Sequence, residues 1–411
     1  MHICFRLMSQ TVLAALILVA ASDRIISAAP GDVVTEDEAK RFGESVEKAI
    51  KKGDASGFTA LIDYDAILDK ATAGIQSSKQ FQVGFRQGVK AGLDKPPSIG
   101  AQLCLDVKNG GSYQLLRTRL RGNQRTALLR IVSPDSGGMD YHEFMLGRGV
   151  DGKVRAVDMY LYMTAELFSE SLRRPYLQAA ASDQRGLVER LLGTEQDFVK
   201  HAFKLNDIAD LLVAGKNREA LDVYYQLPLS LQNDKTFLLL RLQATQRLDD
   251  KLYVATIKRF QDLFPKNAAI DMISIDGLIL SKHYHEAIAA IDRLDKSLGG
   301  DPYLNMLRAG VYFASGEKDK ARKAAEAAVQ GNPDMIDCYW TLVGINREQN
   351  DYPGLLKALK QIDNHFNIEF NDLTTDPDYA GFVKSPQFEE WKSYLARKKE
   401  EQAASKKEAA P

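Results

Sequence analysis

Four side chains in the first half of the sequence could converge on a small cavity. Asp158, Tyr160 and Tyr162 alternate along one predicted strand, so they share a face of that strand. His142 belongs to a neighbouring predicted strand and could line the same cavity. Such a pocket could bind a ligand or transfer a proton. Because no nucleophile motif or partner base accompanies them, a half-exposed sheet face is the favoured interpretation.

Metal, nucleotide and cofactor chemistry is not indicated. His283 and His285 flank Tyr284, but residues two apart do not share a helix face, so we expect exposed turn histidines rather than metal ligands. The sequence has no glycine-rich phosphate loop, GxSxG elbow or HExxH helix. We therefore predict no cofactor, no metal, no catalytic residues and no enzymatic activity.

Charge argues against a nucleic-acid partner, because the formal net charge of the 411 residues is -1. Arginines nevertheless concentrate on two neighbouring predicted strands: Arg117, Arg119, Arg121, Arg125 and Arg130. They could form a patch for an anion or an acidic partner. Glu143 and Asp158 could neutralise them across the sheet, and a solvated sheet face is the favoured interpretation.

The element order that must position these residues changes from helices to strands. Three helical segments are predicted at about residues 35–53, 58–68 and 78–93, with Pro96 and Pro97 ending the third. Four strands follow, at 112–121, 126–132, 141–146 and 154–163, with Asp151-Gly152 as the strongest hairpin turn. The order predicts an α+β domain over residues 32–178, with three helices and a four-strand antiparallel meander.

This order, with the segment Asp151–Tyr162 at the last hairpin, resembles the nuclear-transport-factor-like (cystatin-like) α+β cone. The resemblance covers roughly residues 32–174. It implies helices packed on one face of a curved sheet. Folds of this kind host enzymes, ligand carriers and interaction modules, so the resemblance leaves the function open.

The second half of the sequence contains internal repeats. The segment from Pro302 to Asp334 reads as a helical hairpin, and steps of 34 residues give related units that start at Asp234, Ala268 and Ile336. A further unit starts near His201 and is one residue shorter. In the Pro302 unit, Ala309, Tyr312, Gly316, Ala321, Ala325, Ala328 and Pro333 occupy positions 8, 11, 15, 20, 24, 27 and 32.

That pattern resembles the tetratricopeptide repeat (TPR). The resemblance implies an all-α solenoid of about five repeats over residues 185–369. Small residues at positions 8 and 20 let the two helices approach closely, and the proline ends each unit. Asn305 and Arg308 depart from the pattern, so we expect irregular packing there.

The TPR resemblance also implies a concave groove, which we expect to bind an unidentified protein or peptide. Six apolar residues are nominated for it: Leu238, Met272, Ile279, Met306, Phe313 and Trp340. An apolar ladder suits an amphipathic or extended peptide. The lysine and asparagine of carboxylate-clamp TPRs are missing, which argues against an acidic C-terminal tail as ligand. Alternatively, the first domain or the C-terminal segment covers the ladder, which removes an exposed apolar surface.

The two ends of the chain differ from the rest. The apolar run Thr11–Ala21 after Arg6 predicts a signal peptide over residues 1–28 and hence export to the periplasm or outside. An uncleaved membrane anchor is the alternative. At the other end, residues 370–395 are read as an aromatic-rich cap. Residues 396–411 are read as a charged tail that we expect to be frayed or disordered.

Cysteines leave one question open. Cys104 and Cys338 remain after removal of the signal peptide, and they fall in different predicted domains. A disulfide between them is one alternative in an oxidising compartment. Two buried free thiols are favoured, because free cysteine behaves as a small apolar residue.

The sequence therefore predicts a non-catalytic interaction scaffold of the cell envelope. The alternative is a ligand-binding or weakly enzymatic α+β domain for which the repeats serve as a docking arm.

Overall fold

The computed structural model describes residues 33–93, 98–133, 138–183, 187–265, 267–368 and 370–408. The predicted signal peptide and the turns around residues 94–97 and 134–137 lie outside these ranges. The chain divides into two compact units on either side of the Ser281–Lys282 bond, and each is taken by itself here. Among the described residues, no helix is long and apolar enough to cross a membrane.

Within the described residues, helices open the first unit: α1 (Glu36–Lys51), α2 (Ala55–Ala60), α3 (Tyr64–Thr72), α4 (Lys79–Leu93) and α5 (Ile99–Lys108). The prediction of three helices was wrong in two places. The second segment is split, because the Asp63 side chain accepts a hydrogen bond from Ala66 N and starts a new helix there. Helix α5, capped by Ser98, was not predicted.

The sheet follows as a meander of antiparallel strands in the order β1 (Ser112–Arg121), β2 (Gln124–Val132), β3 (Met139–Arg148), β4 (Val154–Leu161) and β5 (Glu166–Leu167). The short β5 was not predicted. It follows a turn in which Ala165 has a φ of 57°. Helix α6 (Phe168–Asp183) then closes this part of the chain.

One face of the sheet carries the helices. Phe144 of β3 makes edge-on contacts with Phe42 of α1 and Phe58 of α2, with ring centroids 5.7 and 6.3 Å apart. These rings belong to a core that also takes in Leu129 of β2 and Leu161 of β4. Burial of such aromatic and aliphatic side chains stabilises the fold by roughly 1.5–3 kcal/mol each.

Helical hairpins fill the rest of the first unit. They comprise α8 (Gly193–Val213), α9 (Asn217–Tyr225), α11 (Lys235–Gln246), α12 (Asp250–Leu263) and α13 (Ala268–Leu280), with the short α7 (Leu187–Arg190) and α10 (Leu229–Gln232) between them. The second unit continues with α14 (Tyr284–Leu298), α15 (Leu304–Ala314), α16 (Lys318–Gly331), α17 (Ile336–Glu348) and α18 (Tyr352–Phe366).

The predicted repeat period is confirmed. Helices α9, α12, α14, α16 and α18 begin at Asn217, Asp250, Tyr284, Lys318 and Tyr352, so successive spacings are 33, 34, 34 and 34 residues. The first unit is the shorter one, as predicted. Ala309 and Ala321, the small residues at positions 8 and 20, are fully buried, as expected where two helices approach closely.

A left-handed residue recurs two positions before four of these helices. Gly215 and Gly316 have φ values of 73° and 82°. Lys282 and Asn350, each 34 residues from Gly316, take φ values of 61° and 55°. Position 15 of these four repeats therefore has a positive φ whether or not the residue is glycine.

The C-terminal segment packs on the last repeat. Two 3₁₀ turns (Leu373–Thr375 and Pro377–Tyr379) lead into α19 (Ala380–Val383) and α20 (Pro386–Glu408). Phe382, Phe388 and Trp391 share one apolar core with Leu359 of α18. Helix α20 continues to Glu408 and therefore takes in most of the predicted charged tail. Lys398 Nζ lies 2.7 Å from Asp363 Oδ2 and holds this helix against α18.

Cys104 and Cys338 are both free thiols: Cys338 is buried and Cys104 is partly buried.

Candidate functional site

Asp158 serves the structure of the α+β part. Its carboxylate is fully buried and accepts hydrogen bonds from Ser169 N at 3.1 Å and Ser169 Oγ at 2.7 Å. Lys70 Nζ lies 3.3 Å from Asp158 Oδ2 and supplies the compensating charge. Met159 N also donates to Asp158 Oδ1. The carboxylate thus ties strand β4 to helices α3 and α6, and a buried charge needs such partners.

His142 lies on the opposite face of the sheet from Tyr160 and Tyr162. In the β3–β4 register His142 stands opposite Leu161, whereas Glu143 stands opposite Tyr160. Since facing residues of antiparallel strands share a face, His142 points with Leu161 toward the helices. There its Nδ1 is 3.0 Å from Tyr113 Oη, and its Nε2 is 3.5 Å from Asp140 Oδ2. The four candidate pocket residues are therefore not brought together.

The arginine-rich strands form a buried polar network rather than a solvated face. Glu143 is fully buried, and its carboxylate accepts hydrogen bonds from Arg119 Nε at 2.6 Å and from Thr126 Oγ1 at 2.7 Å. Arg121 lies 3.1 Å from the same carboxylate. Tyr162 accepts a hydrogen bond from Arg119 at 3.1 Å. The predicted neutralisation by Glu143 is confirmed. The expected exposure holds for Arg121, whose side chain is 44% exposed, but not for the buried Glu143 and Thr126.

Much of that face is buried as well. Its members with 0–1% exposure include Leu128, Arg130, Tyr141, Glu143 and Tyr162. Tyr160 donates a hydrogen bond to Asn267 Oδ1 at 3.1 Å, and Asn267 caps helix α13. Burial raises the pKa of Tyr160. The hairpins of the first unit therefore reach this face of the sheet.

Two further contacts join the same parts of the first unit, and sequence reasoning missed both. Arg174 of α6 contacts Asp234 Oδ1 and Oδ2 at 3.0 Å each, and both side chains are buried. Lys235 Nζ donates to the carbonyl of Ala165 at 3.0 Å. Asp234 was recognisable as a residue that could start a helix, but no sequence signal links it to an arginine sixty residues earlier.

Three of the six residues of the predicted groove ladder are buried. The exposed fractions of Leu238, Met272 and Met306 are 0%, 3% and 5%. Ile279 and Phe313 are partly buried. Trp340 is the most open of the six, with 38% of its surface exposed.

Trp340 is held from one side by the C-terminal segment. The Trp340 and Phe370 rings meet edge-on with centroids 5.8 Å apart. Phe370 in turn stands edge-on to the buried Trp391, at 5.2 Å. These two ring contacts hold one side of the indole and leave the rest of it exposed to solvent. We call Trp340 and Phe370 the Trp340 surface.

The histidines near the α14 start lie where the sequence predicted, since His283 and His285 are both exposed. Within the described ranges, no group of three histidine, cysteine or acidic residues is arranged to hold a metal ion.

Comparison with known proteins adds little to this geometry. No protein-family model matches the sequence. No curated protein matches it significantly. One solved structure that aligns is described as "MamA RS-1 ArsTM double mutant"; it is 17% identical, and the alignment covers 41% of this chain and 95% of that chain with a TM-score of 0.36. A likeness at that level does not establish a shared fold, so the repeat architecture rests on the period of the helices themselves.

Proposed function

We propose that the protein is a non-catalytic scaffold that binds a protein or peptide partner through its helical-hairpin repeats. The observation that carries this proposal is the partial exposure of Trp340 at a predicted groove position. Tryptophan is enriched among residues that dominate binding energy. Because Phe370 already holds the ring, Trp340 would lose little side-chain entropy when a partner binds.

The contact surface we propose is smaller than the predicted six-residue ladder. Leu238, Met272 and Met306 are buried, so a partner cannot touch them unless the protein rearranges. The Trp340 surface is accessible as it stands. Phe313 is a further candidate, because it is partly buried and packs on the same apolar cluster as Phe370.

The test is capture of partners by the tagged full-length chain from cell-envelope extracts, with Trp340→Ala beside the wild type. We expect at least one protein to be captured by the wild type and lost with Trp340→Ala. Leu229→Ala is the matched control, since Leu229 is an apolar side chain with 70% exposure in α10. If the variant and the wild type capture the same proteins, the Trp340 surface is not the binding site.

The proposed location in the cell envelope depends on the predicted signal peptide at residues 1–28. N-terminal sequencing of the protein purified from its native cells would test it. A mature chain that begins within about residues 22–33 supports export. An intact, membrane-bound N-terminus supports the anchor, and an intact soluble chain contradicts export.

The alternative, a ligand-binding or weakly enzymatic α+β domain, has no specific support among the described residues. Asp158 and His142 already have structural partners, and His142 lies on the other face of the sheet from Tyr160.

A further inference from the structure

A polar cleft of about 270 Å³ lies among the first two hairpins of the first unit. Its lining residues are Tyr224 of α9, Gln232 and Asn233 at the end of α10, Arg241 of α11, and Ala255 and Arg259 of α12. Two guanidinium groups therefore border one small space, and none of the described residues that line it is acidic.

Arg241 is an unusual residue type for its position in the repeat. It is the eighth residue of the unit that starts at Asp234, and the eighth residue of the Pro302 unit is the fully buried Ala309. A long cation thus occupies a seam where a small residue is expected. Its guanidinium carbon lies 5.5 Å from the ring centre of Tyr224 and 5.6 Å from that of Tyr225. Cation–π contacts of this type hold a guanidinium in a fixed direction.

The hydrogen-bonding capacity of Arg241 is incompletely used. Its Nε is buried and has no hydrogen-bond partner in the described part of the chain. A buried donor without a partner is costly, so a position that keeps one calls for an explanation. An anion in the cleft would offset this cost by a charge-assisted contact with the guanidinium group.

The side chain of Arg259 is oriented by a hydrogen bond to a neutral group rather than to a carboxylate. One of its terminal nitrogens donates to Asn233 Oδ1 at 2.5 Å. Lys258, the preceding residue, instead pairs with Asp262 at 3.1 Å. Over the described ranges, neither Arg241 nor Arg259 pairs with a carboxylate. Two like charges on one cleft without a counter-charge leave a positive potential there.

We propose that this cleft binds an oxyanion, a carboxylate or phosphate group, between Arg241 and Arg259. Guanidinium groups suit such ligands because their planar donors match the spacing of two oxygens. The source is either a free small anion or an acidic side chain of a bound protein. The site does not rest on the Trp340 surface, so either proposal can fail alone.

The experiment is isothermal titration calorimetry of the full chain with inorganic phosphate and, separately, with the capped peptide acetyl-Glu-Glu-Glu-amide. We expect binding of phosphate, weakened about tenfold or more by Arg259→Gln, since a charge-assisted hydrogen bond contributes about 1.5–3 kcal/mol. Lys258→Gln is the matched control and should bind as the wild type does, because Lys258 is already paired on the same helix.

Arg241→Gln should show the same loss as Arg259→Gln. If circular dichroism shows that it unfolds, the exposed Arg259 decides the question alone. Additional binding of the peptide assigns the site to acidic side chains of a protein, whereas binding of phosphate alone assigns it to a free anion. The proposal is overturned if neither probe binds, or if Lys258→Gln weakens binding as much as Arg259→Gln does.

Discussion

Arg174 and Asp234 form a buried ion pair that joins helix α6 to the N-terminus of helix α11. Both oxygens of Asp234 lie 3.0 Å from the same guanidinium nitrogen, and Asp234 also caps its own helix by accepting from Thr236 N. Arg174 further contacts the Thr236 hydroxyl. Burial lowers the pKa of Arg174 to about 10. The pair is therefore a link between the sheet-bearing part and the hairpins of the first unit.

Breaking this pair from one side should be costly. We expect Arg174→Met to reduce the free energy of unfolding by roughly 3–5 kcal/mol, because it leaves the Asp234 charge buried without its partner. Adding Asp234→Asn removes that charge and keeps a capping side chain. The double variant should therefore lose less than the sum of the two single losses. Chemical denaturation of all four chains measures the coupling.

The control is Lys216→Ala, which breaks the exposed pair with Glu219 at 3.4 Å. Its cost should be about 1 kcal/mol or less. An Arg174→Met cost as small as that of Lys216→Ala would show that the buried pair does not hold the two parts together.

Glu38 should make the stability of the protein depend on pH in the acidic range. A hydrogen bond from the Thr35 backbone, with others from Thr35 and Arg148 side chains, lowers the pKa of Glu38 from 4.5 to about 2. The stability it contributes is present above pH 4.5 and is lost as the pH falls toward 2. We expect Glu38→Gln to lower Tm at pH 6, with the difference from wild type closing toward pH 2.

Thermal unfolding between pH 6 and pH 2 checks this. Glu44→Gln in the same helix is the control, because Glu44 reaches Lys40 only at 4.0 Å with both side chains exposed. A Glu38→Gln curve that runs parallel to that of the wild type over the whole range would contradict the assignment.

Hairpin turns offer a test of backbone strain. Lys282 has a φ of 61° at the position where Gly316 has 82° in the next repeat. Left-handed conformation costs a side chain roughly 1–2 kcal/mol. Glycine avoids that cost but loses more freedom on folding. We expect Lys282→Gly to raise the free energy of unfolding by about 0.5–1 kcal/mol.

Gly316→Ala should lower the free energy of unfolding by about 1 kcal/mol for the same reason, and no atom lies within 4 Å of the added Cβ to confuse the result. Urea titration of each variant gives both values. Equal responses to the two substitutions would mean that φ does not govern these turns.

Met306 and Trp340 occupy the same position in consecutive repeats but should respond differently to truncation. Met306 is 5% exposed, so Met306→Ala should cost roughly 2–5 kcal/mol of stability. Trp340 is 38% exposed, and we expect a smaller loss for Trp340→Ala. The denaturation midpoints of the two variants, each compared with that of the wild type, test this difference. If Trp340→Ala is the more destabilising, loss of a partner with that variant cannot be read as loss of a contact.

The repeat register could be predicted because it depends on local properties. Alanine at 309 and 321 and proline at 333 act within one hairpin, and the helices that begin at Asp250, Tyr284, Lys318 and Tyr352 keep the 34-residue period. The same holds for Thr35, whose capping of α1 involves a residue three positions away. Helix α5 was missed because Gly100 and the prolines before it obscured the pattern.

The prediction of a candidate pocket was wrong because it depended on how two strands pair, not on one strand alone. Alternation correctly put Tyr160 and Tyr162 on one face, but the face of His142 depends on the register between β3 and β4. A shift of one residue moves every side chain to the other face. Nothing in either strand alone decides that register.

By itself, then, the sequence determined the helical hairpins, their spacing and the antiparallel meander, since turns, caps and apolar periodicity act over a few residues. Only the tertiary structure decided which polar groups are satisfied and which apolar residues stay in solvent. Arg174 and Asp234 are 60 positions apart, and Tyr160 and Asn267 are 107 apart. Burial depends on such distant neighbours, which is why Trp340 stays partly open while Leu238 does not.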